Sequence, residues 1–244
     1  DWLAVPEHER PPGFAQLQLF PTQCIHVALP NTSVLIDASR FDPAASPHPN
    51  PGYIAPPGLR EALTATGVAA ESIEHVVITH VHHDHFNAVT HLDSNQPCFP
   101  NARHYLGRAD WQAAQAALGN PSSLESRTLG VLWNAELLEL VDARREICES
   151  VAIIPAPGES PGHQIVRIQS GGQTLICIGD IYHHTLEVAH AAWVPTWANA
   201  DELRATRRRL QADALATDAL LVATHIAGAG RLAQGPAGAE WIAV

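Results

Sequence analysis

Five short apolar runs in this chain each stop at a side chain able to bind a metal or carry a proton. Val34–Ile36 stops at Asp37, Val76–Thr79 at His80, Val151–Gly158 at Glu159, Leu175–Gly179 at Asp180, and Leu220–Thr224 at His225. Aliphatic and β-branched stretches of this length read as buried strands. Open sheets hold their functional side chains at strand ends, where rigid backbone meets loop. The pattern therefore points to a sheet-based fold that brings segments distant in sequence to one place.

Strands intermix with helical stretches, so the class is α/β or α+β. The turn Pro30-Asn31-Thr32-Ser33 between Cys24–Leu29 and Val34–Ile36 predicts a hairpin, and Gly171-Gly172 predicts a second between Ile165–Ile168 and Thr174–Ile178. Helices are expected at Gly58–Thr66, at Ala109–Leu118, over most of 121–140, and after Asn199, a good N-cap residue. The run Arg207-Arg208-Arg209 in that last helix reads as a solvated face. The segment from Asp42 to Pro57 is too proline-rich for regular structure and reads as a long loop, either bordering a pocket or simply connecting. No internal repeat or linker is evident, and 244 residues fit a single domain over 1–244.

The densest signal is Thr79-His80-Val81-His82-His83-Asp84-His85. So many imidazoles and a carboxylate side by side are costly unless a cation neutralises and orients them. Neutral imidazole and carboxylate oxygen together suit zinc, iron, manganese or cobalt. The spacing of His80 and His82 lets both rings point the same way from an extended turn. Net charge is −11, and an acidic surface repels phosphate backbones, which argues against nucleic acid as a partner. The four scattered cysteines show no disulfide pattern, which fits a reducing compartment and a cytoplasmic protein. The absence of methionine at the start leaves a removed leader, and so a secreted or periplasmic location, open. No apolar run is long enough for a membrane span.

On these residues the chain resembles the metallo-β-lactamase superfamily. THVHHDH is similar to that family's metal motif, and VLIDAS, PGESPGH, Gly179-Asp180 and His225 follow in the family's order. The resemblance implies a four-layer αββα sandwich and two divalent metal ions. It places His80 and His82 on the first ion, Asp84, His85 and His225 on the second, and Asp180 between them. Asp37 would orient a ligand, or else cap a turn. Zinc is the first expectation for both ions.

One departure bears on the chemistry. The family's third motif has a histidine where this chain has Glu159. Glu159 ligates in its place, or His163 does, or the first ion is weakly held. A carboxylate at that position moves metal preference toward iron or manganese. After the motif the chain reads Asp84-His85-Phe86-Asn87-Ala88, without the glycines common in the family.

The function this implies is a dinuclear metal-dependent hydrolase acting through a metal-bound hydroxide on a lactone or ester-type small molecule. Asp84 would orient the nucleophile and His183 would polarise or protonate the substrate, unless His183 only lines the pocket. The segment IGDIYHHTLEVAH and the ending ATHIAGAG look similar to lactonase, arylesterase and organophosphate-hydrolase branches. The alternatives are a non-hydrolytic iron-dependent dioxygenase of the same fold, or a β-lactamase, thioester or phosphotriester hydrolase. Homodimer formation stays open.

Overall fold

A computed structural model describes residues 2–5, 7–10, 21–40, 58–235 and 238–244. The proline-rich 42–57 stretch and residues 1, 6 and 11–20 lie outside the described residues. The chain divides into two compact units, one of Asp1–Gln23, Gly107–Ala113 and Val141–Val244, the other of Cys24–Leu106 and Ala114–Leu140.

The second unit carries a five-stranded sheet in the order Ile25–Leu29, Thr32–Ile36, His75–Val77, Arg103–Gly107, Leu138–Val141. The expected first hairpin is present, with Ile25 opposite Ile36 and Leu29 opposite Thr32. Thr32–Ile36, His75–Val77 and Arg103–Gly107 then run parallel. A parallel connection needs a crossover, and the helix Leu59–Ala65 lies on the first one. Val34, Leu35, Ile36, Val76, Val77 and Ile78 are fully buried. Central parallel strands are covered on both faces, which is why these runs are continuously apolar rather than alternating. Each such side chain contributes about 1.5–3 kcal/mol by leaving water.

His104, in Arg103–Gly107, is also fully buried. Burial pushes its pKa from 6.5 down to about 4, partly offset by the carbonyls of Leu137 and Ala102. The folded chain thus keeps this ring neutral where the unfolded chain takes up a proton. The stability it confers is complete above pH 6.5 and is lost as pH falls toward 4. The loss is at most about 3 kcal/mol. His104→Leu should flatten the dependence of the urea midpoint on pH across that window. An unchanged acid limb in the variant would overturn this account.

The first unit carries a seven-stranded sheet in the order Gly238–Ala243, Gly230–Gly235, Leu220–Val222, Gln173–Cys177, Gln164–Ser170, Val151–Pro155, Arg145–Cys148. Its pairs are antiparallel except Gln173–Cys177 with Leu220–Val222, which are parallel. The crossover between that parallel pair contains the long helix Ala200–Thr217. Asn199 caps it as expected, its side chain accepting from Glu202 N. Leu203, Leu210 and Ala214 join Ile165, Ile176, Ile178 and Leu221 in one buried cluster.

Three expectations need correction. The 121–140 stretch is helical only at Leu124–Arg127 and Leu129–Asn134, and Leu138–Val141 is the edge strand of the five-stranded sheet. The helix expected over Ala109–Leu118 is two pieces, Arg108–Ala113 and Gln115–Leu118. Arg207 is not on a solvated face. It is 1% exposed and lies on the same stripe as Leu203 and Leu210, while Arg208 and Arg209 do face solvent.

Candidate functional site

In the unit of the five-stranded sheet, Asp37, His80, His82, Asp84 and His85 form one cluster. Asp37 follows the strand Thr32–Ile36 with a left-handed φ of 58°, a conformation a short polar side chain tolerates best. There its carboxylate meets the end of the neighbouring strand. Oδ1 accepts from Thr79 N at 2.8 Å, and Oδ2 accepts from Thr79 Oγ1 at 3.0 Å and from His85 Nδ1 at 2.8 Å. The loops on either side are clasped by Ala38 N to His85 O, Ala88 N to Ala38 O, and Asn87, which bridges both backbone groups of Arg40.

His82 has extended backbone and opens the single helical turn His83–Phe86, which carries Asp84 and His85. His80 Nε2 lies 2.9 Å from His82 Nδ1, and the His80 ring is 4.0 Å from that of His85. Because His85 Nδ1 donates to Asp37, the neutral ring carries its lone pair on Nε2, 3.7 Å from Asp84 Oδ1. His80 and His85 are fully buried, as is Asp37. His83, the extra histidine of the motif, is exposed on the surface turn.

In the unit of the seven-stranded sheet, Glu159, His163, Asp180, His183 and His225 come together by a different route. Asp180 and His225 follow the parallel strands Gln173–Cys177 and Leu220–Val222, so strand pairing alone places them side by side. His183 Nε2 and His225 Nε2 each lie 3.2 Å from Asp180 Oδ2, and the two rings stack at 5.4 Å. The three side chains offer ligand atoms within 4.8 Å of one another. His225 Nδ1 lies 2.7 Å from the carbonyl of Pro21, which can only accept, so the lone pair of the neutral ring is on Nε2 and faces the carboxylate. Two electron-rich atoms buried at that distance repel unless a proton or a metal cation sits with them. A divalent metal ion fits this donor set and resolves the repulsion.

His163 Nε2 accepts from Asp180 N at 3.1 Å and so braces the backbone of that residue. Glu159 is 2% exposed and its Oε1 accepts from Trp197 Nε1 at 2.7 Å.

Several residues that sequence reasoning passed over build this half of the site. Asp110 is fully buried and accepts from Ser160 Oγ at 2.7 Å and Gly162 N at 2.6 Å, pinning the turn after Glu159. Glu187 is fully buried and accepts from His183 N at 2.6 Å. Its other oxygen is 3.3 Å from Arg207 Nη2, and Arg207 also donates to the carbonyls of Ile181 and Trp193. Arg207 lies over the ring of Tyr182 at 4.7 Å, and burial pushes the Tyr182 phenol up to about 12. The guanidinium thus ties down the whole turn that carries Asp180 and His183. A charge at a helix position spaced with buried leucines was the one signal of this in the sequence. His184, next to His183, is half-buried and its pKa is lowered by burial.

Among the described residues no helix is long and apolar enough to cross a membrane.

Comparison with known proteins identifies the family. A family model described as the metallo-beta-lactamase superfamily matches residues 17–225. The chain is 27% identical over 134 residues to N-acyl homoserine lactonase AttM of Azorhizobium caulinodans, a match covering 51% of this chain and 48% of that protein. The chain thus spans about half the length of the curated relative it matches. Among solved structures, hydrolase AbOPH superposes with a TM-score of 0.74 at 19% identity, covering 91% of this chain and 79% of that one. AidC, a dizinc quorum-quenching lactonase, superposes with a TM-score of 0.72 at 21% identity, with the same coverage. At these identities the superpositions speak for the mixed α/β fold. The family model spans most of the chain, and the chain belongs to the metallo-β-lactamase superfamily.

Proposed function

We propose that the chain is a hydrolase that holds two divalent metal ions and cleaves a lactone or related carboxylic ester. The observation that carries this reading is the facing of His225 Nε2 onto Asp180 Oδ2, a buried pair of donor atoms that a divalent cation fits. By the family resemblance, His80, His82, Glu159 and Asp180 would hold one ion, and Asp84, His85, His225 and Asp180 the other. Zinc is the preferred metal, with iron or manganese the alternative that the carboxylate of Glu159 brings in. His163 is better placed to support than to ligate, since its Nε2 is engaged by the Asp180 amide.

When bound, the two ions would supply a nucleophilic water acidified to near neutral pKa and an electrophile for the substrate carbonyl. The protein side chains do the rest. Asp84 orients the nucleophile from its short helical turn. Asp37 fixes His85 in the tautomer that presents Nε2, as carboxylate partners of metal-binding histidines generally do. His183 is held by Glu187 through its backbone and presents its ring beside Asp180, where it can protonate the leaving alkoxide. A lactone is favoured because the curated relative is named a lactonase and so is AidC.

The test is elemental analysis of the purified protein together with turnover of lactones, aryl esters, β-lactams and phosphotriesters, and oxygen uptake with iron loaded. Metal at about two equivalents with lactone or ester cleavage supports the reading. Oxygen consumption without hydrolysis would replace it with the dioxygenase of the same fold. Glu159→His should retain metal and shift preference toward zinc over manganese in competitive dialysis, since imidazole is the softer ligand. Metal retained at the wild-type level in Glu159→Ala would remove Glu159 from the ligand set.

A further inference from the structure

We infer that Trp197 is a positioning residue for Glu159, matched to a carboxylate and mismatched to the histidine that the family's pattern places there. The inference rests on the assignment of Glu159 to the first ion made above.

The indole N–H of Trp197 donates to Glu159 Oε1 at 2.7 Å. An indole nitrogen can only donate, and a hydrogen bond into an ionised carboxylate is among the stronger neutral-to-charge bonds. With Oε1 accepting from the indole, Oε2 would be the oxygen that takes an ion. A histidine ligand makes the opposite demand. Its second ring nitrogen carries a proton and needs an acceptor, which carboxylates and carbonyls supply and an indole cannot.

Both partners are held by backbone that leaves them little choice. On the Glu159 side, Gly158 has a φ of +131°, and a Cβ there would lie 2.2 Å from Leu203 N, so only glycine lets the chain pass this close to the long helix. Thr206 Oγ1 donates to the Pro157 carbonyl at 2.7 Å, and Asn199 N donates to the Gly158 carbonyl at 2.8 Å. On the Trp197 side, Thr196 N donates to the Trp2 carbonyl at 2.8 Å and Ala198 N to the Pro195 carbonyl at 3.2 Å. The strand Val194–Pro195 pairs with Leu3–Ala4 just before it. The indole also packs against the rings of His183 and Trp2, at 5.9 and 6.2 Å. Trp197 is 46% exposed, so its replacement removes the hydrogen bond without emptying the core.

The experiment is zinc affinity by competition with a chelating dye for the wild type, Glu159→Ala, Trp197→Phe, Glu159→His and the double variant Glu159→His/Trp197→Phe, with circular dichroism to verify folding. Glu159→Ala should weaken one zinc site, and Trp197→Phe should weaken the same site by about 10-fold, the lower end of what loss of a ligand's hydrogen-bond partner costs. In the Glu159→His background, adding Trp197→Phe should bring no loss. Equal losses in the two backgrounds would show that Trp197 acts on the fold rather than on Glu159, and would overturn the inference. If Glu159→Ala loses zinc while Trp197→Phe binds as the wild type does, the inference falls and the ligand assignment stands. If Glu159→Ala itself binds zinc normally, the assignment falls and takes the inference with it.

Discussion

Asp180→Ala should release most of the bound metal and lower turnover of the best substrate by about 10³-fold or more, corresponding to roughly 4 kcal/mol of lost transition-state stabilisation. The reason lies in how this carboxylate is shared. Its Oδ2 is within 3.2 Å of two imidazole nitrogens, and its backbone N–H is held by His163. Removing it takes away the anion that both rings face, so the remaining donors would have fewer negative charges to balance the two ions proposed above. Metal content by plasma emission and turnover measured on the same preparation check the result together. Unchanged turnover in the variant would refute the dinuclear scheme. Retained metal with lost turnover would confine Asp180 to a role in the chemistry.

Arg207→Met should cost about 3–5 kcal/mol of stability, the typical penalty for removing one partner of a buried ion pair. Glu187 would then be a fully buried carboxylate facing no cation, and the carbonyls of Ile181 and Trp193 would lose a donor. For a chain of this size the loss corresponds to a fall in melting temperature of about 10 °C. Glu187→Gln should cost less, because the amide oxygen still accepts from His183 N. The turn carrying Asp180 and His183 is the part that loosens, so metal affinity should fall in parallel with stability in Arg207→Met. A melting curve within a degree or two of the wild type would show that the pair contributes nothing net.

The two cases differ in how visible they were before a fold was known. Asp180 stands at the end of an apolar run, next to a glycine, and was legible as a strand-end residue from that alone. Arg207 stands in a run of three arginines, where charge suggests solvent, and its partner Glu187 is separated from it by twenty positions of chain. Only its spacing from Leu203 and Leu210 hinted that it faces inward. The hairpins at Pro30–Ser33 and Gly171-Gly172 and the cap at Asn199 were readable because turn and cap chemistry is local. The strands Arg145–Cys148, Gly230–Gly235 and Gly238–Ala243 were not, since they are half-polar and owe their existence to neighbours that pair with them.

Which side chains can bind a metal, and that they stand at the ends of buried strands, followed from the amino-acid order, because ligand chemistry and hydrophobic periodicity are properties of short segments. How they are held was decided by tertiary structure: Asp37 on His85, His163 on the Asp180 amide, Trp197 on Glu159, Glu187 and Arg207 under the turn of His183. Most of those bonds join residues well separated along the chain, and burial makes each of them costly to leave unmade.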